Sequence, residues 1–412
     1  MVGRVQSCRA CGGALTVTMA DLGMQPASNA FIPSAAAVAD EKRFPLRAKV
    51  CDECRLVQVD YDVPPQELFG NYVYFSSYSD HWLEHAQRYC EMARERFGLG
   101  ADSLVVELAS NDGYLLKNFV NMGIPVLGID PSDTVAAAAE KIGVPTLVEF
   151  FGADLADKLA RGRQADLIIA NNVLAHVPLL NDFVSGISRL LKATGHVTIE
   201  FPHLLELIEH VEFDTIYHEH YSYISLFAIE QVFSRHGLRI YDVETLPTHG
   251  GSLRIFAAHS QRADIVDSSA LIEVRGREKS AGLSELSTYM RFAQKVEECR
   301  ASLLAFLAEA KRTAKSVAAY GAAAKGNTLL NFCEVTVADI PMVADRNPNK
   351  QSKLLPGTHI PVVSPEVLLR ARPDYVLILP WNLQSEIREQ LRSIEEWGGR
   401  FVIPVPVTRI DP

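Results

Sequence analysis

The chain has 412 residues, more than one compact core usually organises, so we predict two or three domains. Its net charge of −10 argues against nucleic acid as the main partner, because phosphate binding needs clustered Lys and Arg. The first residues contain no apolar signal region, and no stretch is apolar enough for a membrane span. We therefore expect a cytoplasmic protein with reduced thiols, and a monomer.

Two C-x-x-C pairs stand within residues 1–65, which we predict to form a small module. Four thiolates in two such pairs suit tetrahedral Zn²⁺, and the glycines after the first pair permit the tight turn of a zinc knuckle. Four protein ligands leave no open position, so the metal is expected to be structural. A strand is predicted over 44–50 and an ordered loop over 22–33. The predicted ligands are Cys8, Cys11, Cys51 and Cys54. Free thiols that are paired only in sequence are the alternative.

Residues 66–99 are predicted to form an aromatic segment and a linking helix. The segment FGNYVYFSSYS at 69–79 is rich in aromatic and small polar residues, and an amphipathic helix follows over 80–97. Its composition fits two hypotheses equally well. One is an ordinary loop packed by its own rings. The other is a lid in which Tyr72, Tyr74 and Tyr78 cover a bound ligand.

A β-turn-α-β pattern opens a second predicted domain over 100–262. Glu107 lies in its first strand, and Asp130 ends the second, the layout that holds an adenosine ribose. The turn between them lacks the G-x-G-x-x-G of dinucleotide sites. Carboxylates beside it would repel a pyrophosphate, yet they suit a sulfonium and an ammonium group. The pattern favours S-adenosylmethionine (SAM) over NAD. The predicted turn residues are Ala109, Ser110, Asn111 and Asp112.

The later strands of this domain place further polar and aromatic residues at the same predicted edge. Phe150 follows the third strand and is placed to face an adenine ring. Asn171 ends the fourth strand and is a plausible partner for the methionine end of SAM. His176 comes shortly after it, as either a structural or a functional histidine. In the hairpin that closes the domain, His249 is either a turn residue or a border of the pocket.

The segment 212–225, EFDTIYHEHYSYIS, follows the fifth strand and concentrates titratable and aromatic groups. Residues just past the carboxyl end of a parallel strand lie where open α/β sheets bind ligands. Histidine, with a pKa near 7, is the side chain best suited to act as a base. We interpret the segment as the chemical centre of an enzyme.

Residues 263–315 are predicted to be a helical connector, and 316–412 a second, nucleotide-binding α/β domain. Its first strand ends at Tyr320, a small-residue turn, GAAAKGNT, covers 321–328, and a helix is expected from about 329. Small residues let backbone N–H groups approach an anion, so Lys325, Asn327 and Thr328 are predicted to cradle a diphosphate. A tightly packed turn is the alternative. Asn382 lies past a later strand, where a base or sugar is read.

Together these motifs resemble the three-domain sugar C-methyltransferases, which act on nucleotide-linked deoxysugars in antibiotic pathways. The resemblance spans the chain, from the C-R-A-C-G start through E-L-A-S-N-D-G-Y-L-L and H-G-G-S-L-R, and its specific parts are Y-H-E-H and K-G-N-T. It implies a zinc module, a SAM-binding core and a Rossmann-like C-terminal domain that helps bind the nucleotide. It also implies methyl transfer to C-3′ of a dTDP-linked 4-keto sugar. His220 would be the base, with Tyr217, Glu219 and His176 lining the site.

In the expected mechanism His220 removes the C-3′ proton, and Tyr217 or His176 stabilises the resulting 4-enolate. Glu219 orients a neighbouring imidazole or raises its basicity. One rival is an O- or N-methyltransferase acting on a nucleotide sugar. Others are an NAD-dependent sugar epimerase or dehydrogenase and a non-catalytic nucleotide-sugar-binding protein. The acidic charge disfavours a nucleic-acid methyltransferase.

Overall fold

The computed structural model of the chain describes residues 3–64, 68 and 80–411. Within these ranges the chain forms three larger sheets joined by helices, which confirms the predicted α/β class. A fourth, two-stranded sheet pairs Gly3–Arg4 with Tyr61–Asp62. Over the same ranges, no helix combines the length and the apolarity that a bilayer crossing would need.

The N-terminal sheet includes one strand from the middle of the chain. All of its neighbouring strands are antiparallel. The loop predicted over 22–33 is wrong for residues 22–26, which continue a strand. Two register shifts in the pairing of this strand interrupt the alternation by which a strand is recognised. In spatial order the strands are Ser222–Tyr223, Val57–Val59, Arg43–Val50 and Val17–Pro26.

The central sheet has seven strands in the described part of the chain. The five earliest in sequence are parallel, and the last two form an antiparallel hairpin at one edge. The parallel strands are apolar because helices cover both faces, and their carboxyl ends meet at one edge of the sheet. In spatial order the strands are Leu238–Leu246, Ser252–His259, Leu191–Pro202, Ala165–Asn171, Val105–Leu108, Val126–Ile129 and Thr146–Leu147. The accompanying helices are Asp80–Phe97, Leu116–Asn121, Asp133–Lys141, Ala153–Ala160, Leu180–Leu190, Leu204–Glu209 and Leu226–Arg235.

Two helices, Ser269–Ser280 and Leu286–Arg312, connect the central and C-terminal sheets. The longer one buries Tyr289, Phe292 and Val296, which are three and four residues apart and therefore lie on one face. This face joins a single apolar core with side chains of the N-terminal and C-terminal sheets. The connector is thus packed against both ends of the molecule.

The C-terminal sheet has six strands in the described residues, all parallel except the last. The helix expected from about residue 329 begins at Ala324, so that prediction is wrong by five residues. Gly326 suggested a turn, but it lies inside the helix. A glycine stands at this helical position because Leu379 packs too closely for a side chain there. The strands are, in order, Val362–Val363, Val343–Ala344, Val317–Tyr320, Tyr375–Ile378, Arg400–Ile403 and Arg409–Ile410. The helices are Ala324–Phe332, Pro365–Ala371 and Gln384–Gln390.

Short 3-10 helices complete the fold, and several of them lie in loops that reach the candidate site. They are Ala35–Asp40, Leu174–His176, Phe213–Thr215, Thr248–Gly250, Trp381–Leu383 and Arg392–Trp397.

Candidate active site and zinc centre

The four cysteines predicted to bind zinc come together in space. Their Sγ atoms all lie within 4.8 Å of one another, with 3.5 Å between Cys8 and Cys54 and 3.3 Å between Cys11 and Cys51. A tetrahedral ion with Zn–S bonds of about 2.3 Å requires sulfur separations of this size. Backbone N–H groups two residues after the first two cysteines donate to their sulfurs at 3.3 Å, which favours thiolates. The donor set and its geometry therefore fit a structural zinc ion.

The zinc centre is attached to helices of the central domain. Asn181 donates to the carbonyl oxygens of Arg9 and Ala10 at 2.8 and 2.9 Å. Arg235 also donates to the Ala10 carbonyl at 2.8 Å, and Gln231 donates to that of Cys54 at 3.2 Å. The cysteine side chains share an apolar core with these helices. The module is consequently fixed to the domain that carries the predicted cofactor site.

The polar turn that follows strand Val105–Leu108 has a backbone built for ligand contact. Ala109 and Asn111 have φ values of 55° and 50°, and Gly113 has 76°. Asn172, beyond the neighbouring strand, has a φ of 53°. Left-handed backbone at residues other than glycine costs free energy, and such residues cluster at functional sites. The predicted cofactor turn therefore holds two residues other than glycine in left-handed backbone.

Buried polar atoms surround this turn without a partner among the described residues. They are Glu107 Oε2, Ser110 Oγ, Asn171 Oδ1 and both amide atoms of Asn172. Buried polar groups in proteins are normally hydrogen-bonded, so these atoms indicate a polar ligand. Burial raises the pKa of Glu107 well above its ordinary value, and the nearby carboxylates of Asp130 and Asp112 raise it further. A cationic ligand such as SAM would relieve this repulsion, so the residues fit that cofactor.

Asp130 and Phe150 occupy the same edge of the sheet. The Asp130 carboxylate accepts backbone N–H bonds from Asn111 at 3.0 Å and from Ser132 at 2.9 Å. Burial raises the pKa of Asp130, while these two bonds oppose the shift. Phe150 lies in the loop beyond strand Thr146–Leu147 with 81% of its surface exposed, so its ring is open to stacking.

His220 lies between the 3-10 helix Phe213–Thr215 and the strand Ser222–Tyr223. Its Nδ1 is 3.0 Å from the carbonyl oxygen of Thr215. Because a carbonyl oxygen only accepts, Nδ1 carries the proton and Nε2 keeps its lone pair. Burial lowers the pKa of His220 well below its ordinary value, and the charge of His176 lowers it further. The imidazole is therefore neutral near pH 7 and has the form of a general base.

Tyr217 and His176 lie beside the His220 ring, with centroid distances of 4.0 and 4.7 Å. His176 Nδ1 lies 2.8 Å from the backbone carbonyl oxygen of Glu219 and so carries the proton of that ring. Burial lowers the pKa of His176. His176 is thus neutral as well, and its single N–H is already used.

The Glu219 side chain is 4% exposed and accepts from Asn29 Nδ2, which is 3.0 Å from each of its oxygens. Burial raises the pKa of Glu219 to about 7, and the bond from Asn29 opposes that shift. The atom of Glu219 that orients an imidazole is its backbone carbonyl oxygen, through His176. Sequence analysis missed Asn29 because 190 residues separate it from Glu219.

Lys325 brings the C-terminal domain to the same region. Its Nζ is 2.8 Å from Asn382 Oδ1 and 4.3 Å from the centre of the Trp381 ring. Trp381 Nε1 donates to Asp214 Oδ2 at 2.8 Å. Burial raises the pKa of Asp214 to about 6 and that of Glu212 to about 8, and the Lys325 charge opposes both shifts. We call Glu212, Asp214, Lys325 and Trp381 the junction cluster.

Sequence analysis did not single out the two acids of the junction cluster, although both lie in the 212–225 segment. Their only signal was that position, two residues apart and shortly before the histidines. The other predicted substrate residues are more dispersed. Thr328 Oγ1 donates to the carbonyl of Ile216 at 3.2 Å, and Asn327 is 1% exposed with both amide atoms unpartnered among the described residues. Tyr320 donates to Gln390 at 3.1 Å within the C-terminal core.

The tyrosines of the predicted lid, Tyr72, Tyr74 and Tyr78, lie outside the described residues.

A polar network that sequence analysis missed borders the site on the side of helix Asp80–Phe97. Glu200 Oε2 lies 3.0 Å from His85 Nε2 and 2.7 Å from Arg254 Nη2. Burial opposes the charged form, but these two partners hold the pKa of Glu200 below its ordinary value. Trp82 stacks on His85 at 4.9 Å and lies 5.5 Å from the His249 ring. These residues form no local motif, so only the fold reveals them.

Comparison with known proteins identifies the family. Residues 8–69 match a zinc binding domain, residues 82–243 a methyltransferase domain, and residues 247–406 a C-methyltransferase C-terminal domain. The chain is 36% identical over 407 residues to the C-methyltransferase NovU of Streptomyces niveus, covering 98% of this chain and 97% of that protein. The chain belongs to this C-methyltransferase family.

This C-methyltransferase therefore uses SAM as its methyl donor and carries zinc in its N-terminal module. Membership in the C-methyltransferase family excludes two of the alternatives. These are the NAD-dependent epimerase or dehydrogenase and the non-catalytic binding protein. The zinc and SAM predictions are confirmed.

Solved structures resemble about half of this C-methyltransferase. The SAM-bound magnesium protoporphyrin IX methyltransferase of Synechocystis PCC 6803 is 16% identical with a TM-score of 0.33, over 47% of this chain and 89% of that one. A SAM-dependent methyltransferase of Clostridium acetobutylicum is 12% identical with a TM-score of 0.36, over 50% of this chain and 96% of that one.

Proposed function

We propose that this C-methyltransferase adds a methyl group to C-3′ of a nucleotide-linked 4-keto deoxysugar, with dTDP as the nucleotide. The observation that carries the proposal is the His220 imidazole, whose Nε2 stays basic because Nδ1 donates to the Thr215 carbonyl. Methylation at carbon needs a carbon nucleophile, which a base must first create. The His220 ring faces His176, which follows the cofactor-side strand Ala165–Asn171, so the base stands next to the cofactor edge.

A ketone at C-4′ makes the hydrogens on both neighbouring carbons acidic, because the electron pair left behind spreads onto the ketone oxygen. In the proposed reaction Nε2 of His220 takes the C-3′ proton, and the C–H electron pair becomes part of an enolate. SAM, when bound, would supply an electrophilic methyl group to that carbon, and the electron pair of the broken S–CH3 bond would leave on the sulfur of the demethylated, neutral cofactor. Formation of the new carbon–carbon bond restores the ketone. The proton stays on His220 until solvent removes it.

The enolate oxygen needs a hydrogen-bond donor. Both Tyr217 and His176 were candidates from the sequence. The only N–H of neutral His176 already donates to the Glu219 carbonyl, which leaves Nε2 as an acceptor. Tyr217 has a phenolic hydroxyl, its ring centroid lies 4.0 Å from that of His220, and it is the favoured donor. His176 is then better suited to accept a proton than to stabilise an anion.

Substrate contacts from the C-terminal domain form the second part of the proposal. Lys325, Asn327 and Thr328 are proposed to contact the diphosphate, with Tyr320 and Asn382 on the nucleoside side. The unpartnered buried amide of Asn327 supports a polar ligand there. Glu212, with a pKa of about 8, is mostly protonated at neutral pH, so the junction cluster repels a diphosphate less than its composition suggests. The lid tyrosines 72, 74 and 78 are proposed to cover the sugar.

A panel of dTDP-, CDP- and GDP-linked 4-keto deoxysugars tests the proposal, with SAM that carries a ¹³C-labelled methyl group. The expected product has the ¹³C methyl on C-3′ of a dTDP sugar, located by NMR. A methyl on C-5′ would keep the enolate chemistry but overturn the C-3′ assignment. A methyl on oxygen or nitrogen would support the rival O- or N-methyltransferase and overturn the proposal.

A further inference from the structure

The zinc module contacts the reactive segment, residues 212–225, on both sides of His220. His218 Nε2 lies 3.2 Å from the carbonyl of Pro45, and the backbone carbonyl of Tyr221 accepts from Val59 N at 3.1 Å. The next two residues pair with the strand Val57–Val59. His220, between these anchors, is turned instead towards the central domain and donates to Thr215. The N-terminal module therefore sets the backbone from which the proposed base projects.

A direct path leads from the metal site to this backbone. The guanidinium of Arg9, next to Cys8 in the chain, lies 5.1 Å from the Tyr221 ring centroid. Arg9 N donates to Gln58 Oε1 at 2.8 Å, and Gln58 is fully buried and paired with Ser222. Arg9 and Gln58 thus connect the zinc knuckle to the reactive segment.

One contact of the zinc module, from Asn29 to Glu219, leads to the histidines of the proposed catalytic site. Asn29 Nδ2 donates to the Glu219 carboxylate, and the backbone carbonyl of the same Glu219 accepts from His176 Nδ1 at 2.8 Å. The carboxylate and the carbonyl belong to one residue, so a shift of the Glu219 backbone moves the carbonyl to which His176 Nδ1 donates. His176 also lies against the His220 ring, with 4.7 Å between the two ring centroids.

We propose that Asn29 is a positioning residue, through which the zinc module fixes the Glu219 backbone and with it the tautomer of His176 beside the base. The inference rests on the proposed function, since it assumes that His220 is that base. Asn29 does not touch the reacting atoms in this proposal. It acts only through Glu219.

The charge balance around Glu219 explains why a neutral amide suits this position. The carboxylate is buried, and Tyr221 is the neighbouring titratable group that it influences. Removing the Asn29 donor leaves the burial effect unopposed, so the pKa of Glu219 rises and the carboxyl becomes protonated at neutral pH. A protonated carboxyl donates a hydrogen bond, so it needs an acceptor as its partner in place of a donor. The contact that holds the Glu219 side chain in its orientation is therefore lost.

Asn29→Ala is a clean test because Asn29 is exposed and its loss creates no cavity. Asn349→Ala is the matched control, since Asn349 is also exposed and lies in the C-terminal domain. With ¹⁵N-labelled histidine, long-range ¹H–¹⁵N spectra of the whole protein report the tautomer of each ring without substrate. We expect His176 to be the Nδ1–H form in wild type and in Asn349→Ala, and a mixture of tautomers in Asn29→Ala. An unchanged His176 signal in Asn29→Ala would overturn the proposal.

Kinetics give the second readout. Asn29→Ala is expected to lower kcat by about 10-fold, with the KM for SAM within about 2-fold of wild type. Asn29→Gln, which retains the amide donor, should recover part of the loss. Zinc content and Tm should match the wild type. A fall in either, with the His176 tautomer intact, would assign Asn29 a merely structural role and overturn the proposal.

Different results would overturn the positioning role of Asn29 and the proposed function. If His220→Asn is inactive while Asn29→Ala has wild-type kcat and tautomer, only the positioning role is wrong. If His220→Asn stays active, the proposed function is wrong, whatever Asn29→Ala shows.

Discussion

The central and C-terminal domains contain the same strand–turn–helix device. In the central domain the Asp130 carboxylate accepts from the backbone N–H of Asn111, in the turn, and of Ser132, two residues after itself. In the C-terminal domain the Asp345 carboxylate accepts from Ala322 N, in the corresponding turn, at 2.8 Å, and from the N–H two residues after itself at 2.8 Å. An acid at the end of the second strand ties down the first turn in both.

The two turns differ in what surrounds them. Around the central turn, Glu107 and Ser110 leave buried polar atoms unpartnered among the described residues, and Ala109 holds a strained left-handed backbone. The C-terminal turn is closely packed, with Gly321 against Pro380 and Gly326 against Leu379. In both domains the shared scaffold fixes an edge where ligands bind, whereas the residues around each turn decide which ligand fits.

A matched pair of substitutions gives the largest expected effect on SAM affinity. Replacing either acid with Asn keeps one oxygen as an acceptor. The other oxygen becomes an amide NH₂ group, which cannot accept from the backbone N–H that it faces. Asp130→Asn should weaken SAM binding by about 10- to 100-fold, the cost of about 1.5 to 3 kcal/mol for a hydrogen bond to a charged group. Asp345→Asn should change SAM affinity less than about 2-fold and raise the KM for the sugar nucleotide. Calorimetric titration with SAM measures the first effect and steady-state kinetics the second.

Equal loss of SAM affinity in both variants would break the distinction between a cofactor turn and a substrate turn.

Glycine substitutions sharpen the contrast in packing. A Cβ at Gly326 would stand 2.6 Å from Leu379 Cβ, so Gly326→Ala should lower the free energy of unfolding by about 1 to 3 kcal/mol. At Gly128 in the central domain, a Cβ meets the hydroxyl oxygens of Ser110 and Thr146, which can rotate away, and Ser110 Cβ at 3.0 Å, which must shift by a few tenths of an ångström. Gly128→Ala should therefore cost SAM affinity more than stability. Urea unfolding and calorimetry separate the two outcomes.

Gly276→Ala is the control for these variants. Gly276 is inside helix Ser269–Ser280, and nothing lies within 4 Å of an added Cβ, so the helix should gain about 0.5 to 1 kcal/mol. A loss of stability there, or none in Gly326→Ala, would contradict the packing argument.

The last prediction concerns the junction cluster, where the two domains meet. Burial raises the folded-state pKa of Glu212 to about 8, above its value in the unfolded chain. Its contribution to stability is therefore fully present below about pH 4.5 and is lost as the pH rises through 8. Glu212→Gln removes this loss, so relative to wild type its unfolding free energy should rise by about 3 to 4 kcal/mol between pH 5 and pH 8.5. Denaturant unfolding at the two pH values measures the difference.

A wild-type minus variant difference that is constant with pH would show that Glu212 does not titrate in the folded protein over this range.

The parts of the site that could be predicted are those whose signal is local in sequence. The cysteine pairs and the turn from Ala109 to Asp112 each specify their chemistry within a few residues, because ligand spacing and turn polarity are local properties. The family resemblance carried by the Y-H-E-H run implied a base at His220, which stays a prediction, and the carbonyl that sets its tautomer belongs to Thr215.

The rest depends on contacts between distant segments. Trp381 meets Asp214 across 167 residues, and Asn29 meets Glu219 across 190. Nothing in composition or periodicity marks such partners, because each side chain alone is ordinary for a loop. The helix start at Ala324 was missed for a related reason, since Gly326 is required by Leu379, which directly follows strand Tyr375–Ile378.

The most direct test of the central claim is solvent deuterium uptake at C-3′ of the 4-keto sugar by His220→Asn, compared with wild type and with His210→Asn. His210 is an exposed histidine paired with Glu206, so it controls for loss of a ring. The account predicts that His220→Asn loses both exchange and methyl transfer by at least about 100-fold, while SAM affinity stays within about 2-fold. Exchange at the wild-type rate in His220→Asn would contradict it.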